Sequence, residues 1–288
     1  MKKIVSVLLA LLMLGSALCC ADSSDSRAAI GADLDDAEIA AVYRTFGIKR
    51  GSVKELTVTN ADEREYLEGL VDDSIIGTRS ISCVYIESRG EGDGLKVSVS
   101  NISWCTPDMY VNAMVTAGIC DANVIVAAPF PVSGTAALTG IFKAYEDITG
   151  KKLDDLAKLV GTQELTITAE LAEELGSADS TAIVNEIKLI LDETKNMSDA
   201  ELRAEIVSIA SEYGVSLSDK QIDQLIGLCR SMEKLDVDQL KQKVKEVQQK
   251  LLGFAKAKTE IKQFFQELGE AFSRVVDAVI EFFRGIFG

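Results

Sequence analysis

The sequence predicts an α+β protein. The expected sheet is ferredoxin-like, a split βαβ arrangement of four antiparallel strands with extra helices, followed by an all-helical C-terminal region. Three observations carry this. Four strand-like runs and the helical periods between them follow the order β-α-β-β-α-β. After Gly150 the composition turns almost wholly to helix formers, with capping signals at intervals. A hydrophobic content of 47% against 26% charged residues supplies a packed core.

Residues 1–21 read as a secretory signal peptide. Lys2 and Lys3 precede an apolar core over residues 4–14, too short to cross a bilayer, and small residues allow cleavage after Ala17 or Ala21. Lipidation at Cys19 or Cys20 is the alternative. It is disfavoured by Leu18 just before Cys19 and by Ala17 three places before Cys20. A secreted or cell-surface location is therefore expected. Residues 22–28 read as a polar linker, 29–176 as the α+β domain, 177–252 as a helical domain and 253–288 as an amphipathic C-terminal helix.

Within the α+β domain, Asp35 and Glu38 form a capping box before a helix carrying Ile39, Val42, Tyr43 and Phe46, which Gly47 ends. Residues 53–58 are the first strand. Asn60 and Glu63 read as a second capping box. Residues 79–88 and 95–104 are strands joined by a glycine-rich turn, 89–94, which lacks the Asp/Asn ladder of a calcium loop. Thr106 as N-cap, Pro107 at the first helical position and Asp108 in the first turn each favour a helix start. Residues 123–128 are the fourth strand, which Pro129 and Pro131 should stop because neither can donate to a ladder. Further on, residues 153–160 and 168–175 read as two short helices around Gly161, and 179–195 as a longer one. Ser198–Glu201 and Ser218–Gln221 are capping boxes opening two more helices.

Several chemistries are excluded. The chain has no histidine, which removes Ser-His-Asp and Cys-His catalysis and every histidine zinc site. A net charge of −15 and a pI near 4.6 argue against nucleic acid as partner. Cys83, Cys105, Cys120 and Cys229 show no CxxC spacing and read as small core residues, so neither a metal cluster nor a disulfide framework is expected. No cofactor motif is present: the glycines form no GxGxxG, and no Gly-Lys-Ser/Thr occurs. Forty-five acidic residues guarantee a carboxylate pair at any spacing, so none can be singled out as catalytic.

One stretch invites a ligand. Ser133 is a good N-cap after the proline break, and the small residues Gly134, Thr135 and Ala136 would leave first-turn amides open to an anion. Arg79 offers a guanidinium to the same kind of ligand. The whole-chain charge opposes this at long range.

Residues 56–69 (LTVTNADEREYLEG), Ile76-Gly77-Thr78-Arg79 with Ile81 and Ser82, and residues 127–145 together resemble the YpuA-like secreted proteins. These are the domain-of-unknown-function 1002 family of Gram-positive bacteria, and the resemblance covers residues 30–240. It implies export. It brings no reaction, cofactor or catalytic residue. Two readings stay open: a non-catalytic exported protein that binds a protein or envelope ligand, or an extracellular hydrolase using carboxylates or a serine without histidine. Two buried acids converging in a cleft with raised pKa values would favour the second.

The chain's end carries a heptad seam of Ile261, Phe265, Leu268, Phe272, Val275, Val279, Phe282 and Ile286. Acids along it argue against a membrane span, and five acids against three bases from Thr259 onward leave anionic lipid little attraction. Packing of residues 259–287 on the protein, or on a second copy as a homo-oligomer, is expected first. Membrane adsorption is second.

Overall fold

The structure, a computed structural model, describes residues 25–69 and 73–249. It is an α+β protein with a five-stranded mixed sheet and a mostly helical C-terminal part. The chain opens with β1 (Ser26–Gly31), α1 (Asp36–Phe46), β2 (Lys54–Val58), α2 (Asn60–Leu67) and α3 (Asp73–Ile76). It continues with β3 (Cys83–Ser88), β4 (Leu95–Ile102), α4 (Pro107–Thr116), β5 (Ala122–Val132) and α5 (Thr135–Thr149).

The strand order is β2-β1-β3-β5-β4. β1 runs parallel to β2 and β4 parallel to β5, while the central β3 is antiparallel to both β1 and β5. This corrects the four-stranded antiparallel ferredoxin-like expectation. Two features hid the real topology. Ser26–Gly31 begins inside the stretch read as a linker, and its small residues Ala28, Ala29 and Gly31 carry little strand signal. The turn after β3 does not close a hairpin, because β5 inserts between β3 and β4.

Each face of the sheet has its own cover. Ala28, Ile30, Cys83 and Ala127 point to one face and pack against Ile39, Val42, Tyr43 and Phe46 of α1. Ala29, Val84, Val124 and Val126 point to the other, against α4 and α5. α5 lies close because Gly140 meets Ala29, Val58 and Val84 where a side chain would stand: a Cβ there would sit 3.2 Å from the Ala29 methyl. Both parallel steps, β1 to β2 and β4 to β5, move the same way across the sheet, yet α1 and α4 cover opposite faces. The two crossovers therefore have opposite hands, and one departs from the usual right-handed rule.

The prolines do not end β5. They end its pairing with β3, which stops at Ala127 opposite Cys83, while β4 resumes beyond a bulge with Ile102 opposite Val132. Asn101 sits in that bulge at φ 58°, and its side-chain amide donates to the Ala128 carbonyl at 2.8 Å.

The helical part holds α6 (Asp155–Leu175), α7 (Ser177–Leu189), α8 (Leu191–Thr194), α9 (Asp199–Glu212), α10 (Asp219–Met232) and α11 (237–249). The boxes at Ser198–Glu201 and Ser218–Gln221 form as expected. The two short helices expected around Gly161 are one helix of 21 residues. Gly161 does not break α6; it lets α6 reach α4, since a Cβ there would stand 2.7 Å from the Ala113 carbonyl oxygen. One apolar cluster runs from Ala29 in the sheet to Val247 in α11, so sheet and helices share a core.

The roles of two helical glycines separate here. Gly161→Ala gains helix propensity but forces α4 and α6 apart, and should lose about 1–3 kcal/mol in urea denaturation. Gly227→Ala in α10, where a Cβ meets nothing within 4 Å, should gain up to about 1 kcal/mol. Equal stability of the Gly161 variant and the unmodified protein would refute the close-contact account.

Candidate functional site

The carboxyl ends of β1, β2, β4 and β5 lie at one edge of the sheet, together with the start of β3. In open sheets with parallel strands, ligands favour the crevice outside such ends. Five connections meet there. The Ala32 amide bonds the Val58 carbonyl at 2.8 Å. Asp33 accepts from the Ser80 amide at 2.7 Å through its carboxylate, and from Arg79 Nη2 at 2.6 Å through its backbone carbonyl. Arg64 Nη2 donates to the Gly77 carbonyl at 2.9 Å.

Under this edge lies a buried acid. Thr59, not Asn60, caps α2, and its box partner is Asp62, which corrects the expected Asn60–Glu63 pairing. The one-residue shift turns Glu63 about 100° around the helix, into the protein. Glu63 is 1% exposed. Its Oε1 accepts a 2.5 Å bond from the Thr135 hydroxyl at the first position of α5. Its Oε2 has no hydrogen-bond partner among the described residues, and nor does the buried hydroxyl of Ser80. Burial pushes the Glu63 pKa up to about 7, outweighing the opposing bonds from Thr135 and Asn60 and the charge of Arg64.

The proposed anion residues are placed as follows. Ser133 is half-buried, with its hydroxyl 3.4 Å from that of Thr135. It is not the N-cap of α5. Gly134 is, at φ 100°, and it makes no side-chain cap bond. The Gly134 carbonyl accepts from the buried Tyr110 hydroxyl at 2.6 Å. Gly134, Thr135 and Ala136 are buried. Arg79 reaches the same end of the sheet, exposed, with its guanidinium on the Asp33 carbonyl. The start of α5 thus already faces a carboxyl group of the chain itself.

A second polar cluster lies between α4, α6 and α7. Lys188 and Glu164, both fully buried, form an ion pair at 2.5 Å. The Thr116 hydroxyl donates to Glu164 Oε2 at 2.5 Å, and Lys188 Nζ donates to the Asn112 carbonyl at 3.1 Å. Burial lowers the Lys188 pKa against the raising effect of Glu164. The three buried cysteines are inert. Burial lifts Cys83 and Cys105 to about 12 and Cys229 to about 11, so none offers a thiolate at neutral pH. All four described cysteines are free thiols, and no group of three or more metal-ligating side chains occurs among the described residues. Among them, too, no helix is long and apolar enough to cross a membrane.

A groove of about 480 Å³ lies between the end of α4, the start of α6 and the start of α11. Leu153, Leu156, Leu235 and Leu240 line it, and Lys152, Lys234 and Lys243 frame it together with Asp154 and Asp236. Sequence reading missed both the groove and Glu63. The groove needs three distant segments brought together. The Asp62–Glu63 pair gives no periodic signal for which acid turns inward.

The site defines no known class of active centre, but the chain's family is clear. The family described as "Protein of unknown function (DUF1002)" matches residues 30–250, and the chain belongs to it. It is 35% identical over 294 residues to the "Uncharacterized protein YpuA" of Bacillus subtilis (strain 168), a match covering 99% of this chain and all of that protein. No solved structure matches.

The raised Glu63 pKa fixes the sign of a pH effect. Its folded value, about 7, lies above the ordinary 4.5, so the folded state holds this proton more tightly than the unfolded one. Stability from this group is full below about pH 4.5 and is lost as pH rises to about 7, by ~3 kcal/mol. Glu63→Gln should match the unmodified protein near pH 4.5 and melt higher at pH 8. A variant that is less stable than the parent at pH 8 would show that the acid is held ionised.

Proposed function

We propose that this is an exported, non-catalytic protein that binds a protein or ligand in the cell envelope or outside the cell. The observation that carries the reading is where the reactive groups sit. Glu63, the one described carboxyl with a raised pKa, is 1% exposed and hydrogen-bonded to Thr135, with no second raised acid beside it. Lys188 is committed to Glu164 with no solvent access. The groove, by contrast, presents leucines among lysines and the exposed Asp154 and Asp236, a lining that suits recognition. The signal-like residues 1–21 support export; they lie outside the described residues, as does the C-terminal segment. At the sheet edge, Ser133 and Arg79 are the residues of the suggested anion site that solvent reaches, and an anion on Thr135 must displace Glu63.

The hydrolase reading keeps one supporting feature, the carboxyl–hydroxyl pair of Glu63 and Thr135. A panel of chromogenic glycoside, ester and phosphate substrates separates the two readings. We expect no turnover above buffer. Hydrolysis abolished by Glu63→Gln would establish the enzyme instead. In parallel, mass spectrometry of the protein from culture supernatant should find a chain beginning after Ala17 or Ala21. An intact Met1 in the cytosol would defeat export.

A further inference from the structure

We propose that the groove between α4, α6 and α11 is the docking site of the chain's own C-terminal segment, residues 259–287. The groove is apolar at its floor, and its rim carries Lys152, Lys234 and Lys243 with the acids Asp154 and Asp236. Leu153, Leu235 and Leu240 are half-buried or buried there, and Leu156 is 38% exposed at its side. One turn along α6, Leu159 is 40% exposed. These two leucines extend the apolar floor of the groove onto the surface of α6. Lys234 and Lys243 form no ion pair among the described residues, although the chain carries 45 acids.

The sequence beyond the described residues is the chemical complement of that groove. It holds an apolar seam including Phe265, Leu268, Phe272 and Val275, and acids at Glu260, Glu267, Glu270, Asp277 and Glu281. An apolar seam with an excess of carboxylates, five against three bases, fits an apolar groove whose rim holds three ammonium groups against two carboxylates. The chain is long enough. From Leu240 in the groove to Gln249 is ~13 Å of helical rise. Residues 250–258 span up to ~30 Å when extended, so the segment after them can return. Being covalently attached, it also enjoys a high effective concentration over any free partner. This docking is independent of whether the protein binds a further ligand.

The test is zero-length carbodiimide coupling of the full chain, diluted until light scattering gives the monomer mass, followed by peptide mass spectrometry. Expected are links within one chain from Lys152, Lys234 or Lys243 to Glu267, Glu270, Asp277 or Glu281. Leu156→Asp changes an exposed groove residue and should reduce those links at least about fivefold without lowering the melting temperature. Four results would overturn the proposal. The first is no link from the three lysines to residues 259–287. The second is links unaffected by Leu156→Asp. The third, in a mixture of isotopically light and heavy protein, is links between chains only, which would make the groove an interface between copies. Flotation of the full chain with neutral liposomes would equally count against it, because the seam would then be free to adsorb to lipid.

Discussion

The fully buried ion pair of Lys188 and Glu164 is the constraint on which the arrangement of helices depends. Removing two charges from water costs several kcal/mol each, and only good geometry with further hydrogen bonds offsets it. The further hydrogen bonds are present: Thr116 serves Glu164 Oε2 and the Asn112 carbonyl accepts from Lys188, while Glu164 Oε1 meets Lys188 as an ion pair alone. Three helices must therefore keep their register at once. Asn112 and Thr116 share a face of α4, Glu164 sits on α6 and Lys188 on α7. Shifting any of them by one residue would leave a charge without its partner in the core.

α6 carries the consequence across the molecule. Its Gly161 face meets α4 against the sheet, and its far end meets the C-terminal helices: Gln221 of α10 donates to Glu174 at 2.8 Å. Trp104, just past β4, donates its indole N–H to Glu173 at 2.7 Å. The helical array is thus tied to the sheet at several points along one helix. Farther out, Arg230 of α10 holds the loop before α9, donating to the Thr194 and Met197 carbonyls at 3.0 and 2.7 Å. At the carboxyl edge of the sheet, Glu63 pins α2 to the start of α5 at an electrostatic cost that rises with pH. One buried polar contact fixes the helices; the other makes the sheet edge sensitive to protons.

The local signals in the sequence were legible where one chemical rule decides the outcome. Asp35 with Glu38, Thr106 with Pro107, and the boxes at Ser198 and Ser218 all cap as expected, because a side chain and an amide three residues apart suffice. The α+β class was legible for the same reason. Pairing was not. The small residues of β1 gain strand character only from neighbours on both sides, Glu55 opposite Ala28 on one edge and Tyr85 on the other. The insertion of β5 between β3 and β4 depends on long-range packing that no local turn reveals. Gly161 read as a breaker because its reason lies on α4, 48 residues earlier at Ala113. Glu63 was read as a cap because Thr59 and Asp62 satisfy the same motif one residue away. The candidate site at residues 133–136 was found from its small residues, while the acid that meets it was hidden by that one-residue ambiguity.

The measurement that tests this account most directly is a double-mutant cycle on the buried pair, read by urea denaturation. Lys188→Met and Glu164→Leu should each lose about 3–5 kcal/mol, because each strands a buried charge. The double variant should recover most of that loss, giving a coupling of several kcal/mol. Losses that simply add, or single variants as stable as the parent, would contradict the claim that this pair sets the register of α4, α6 and α7.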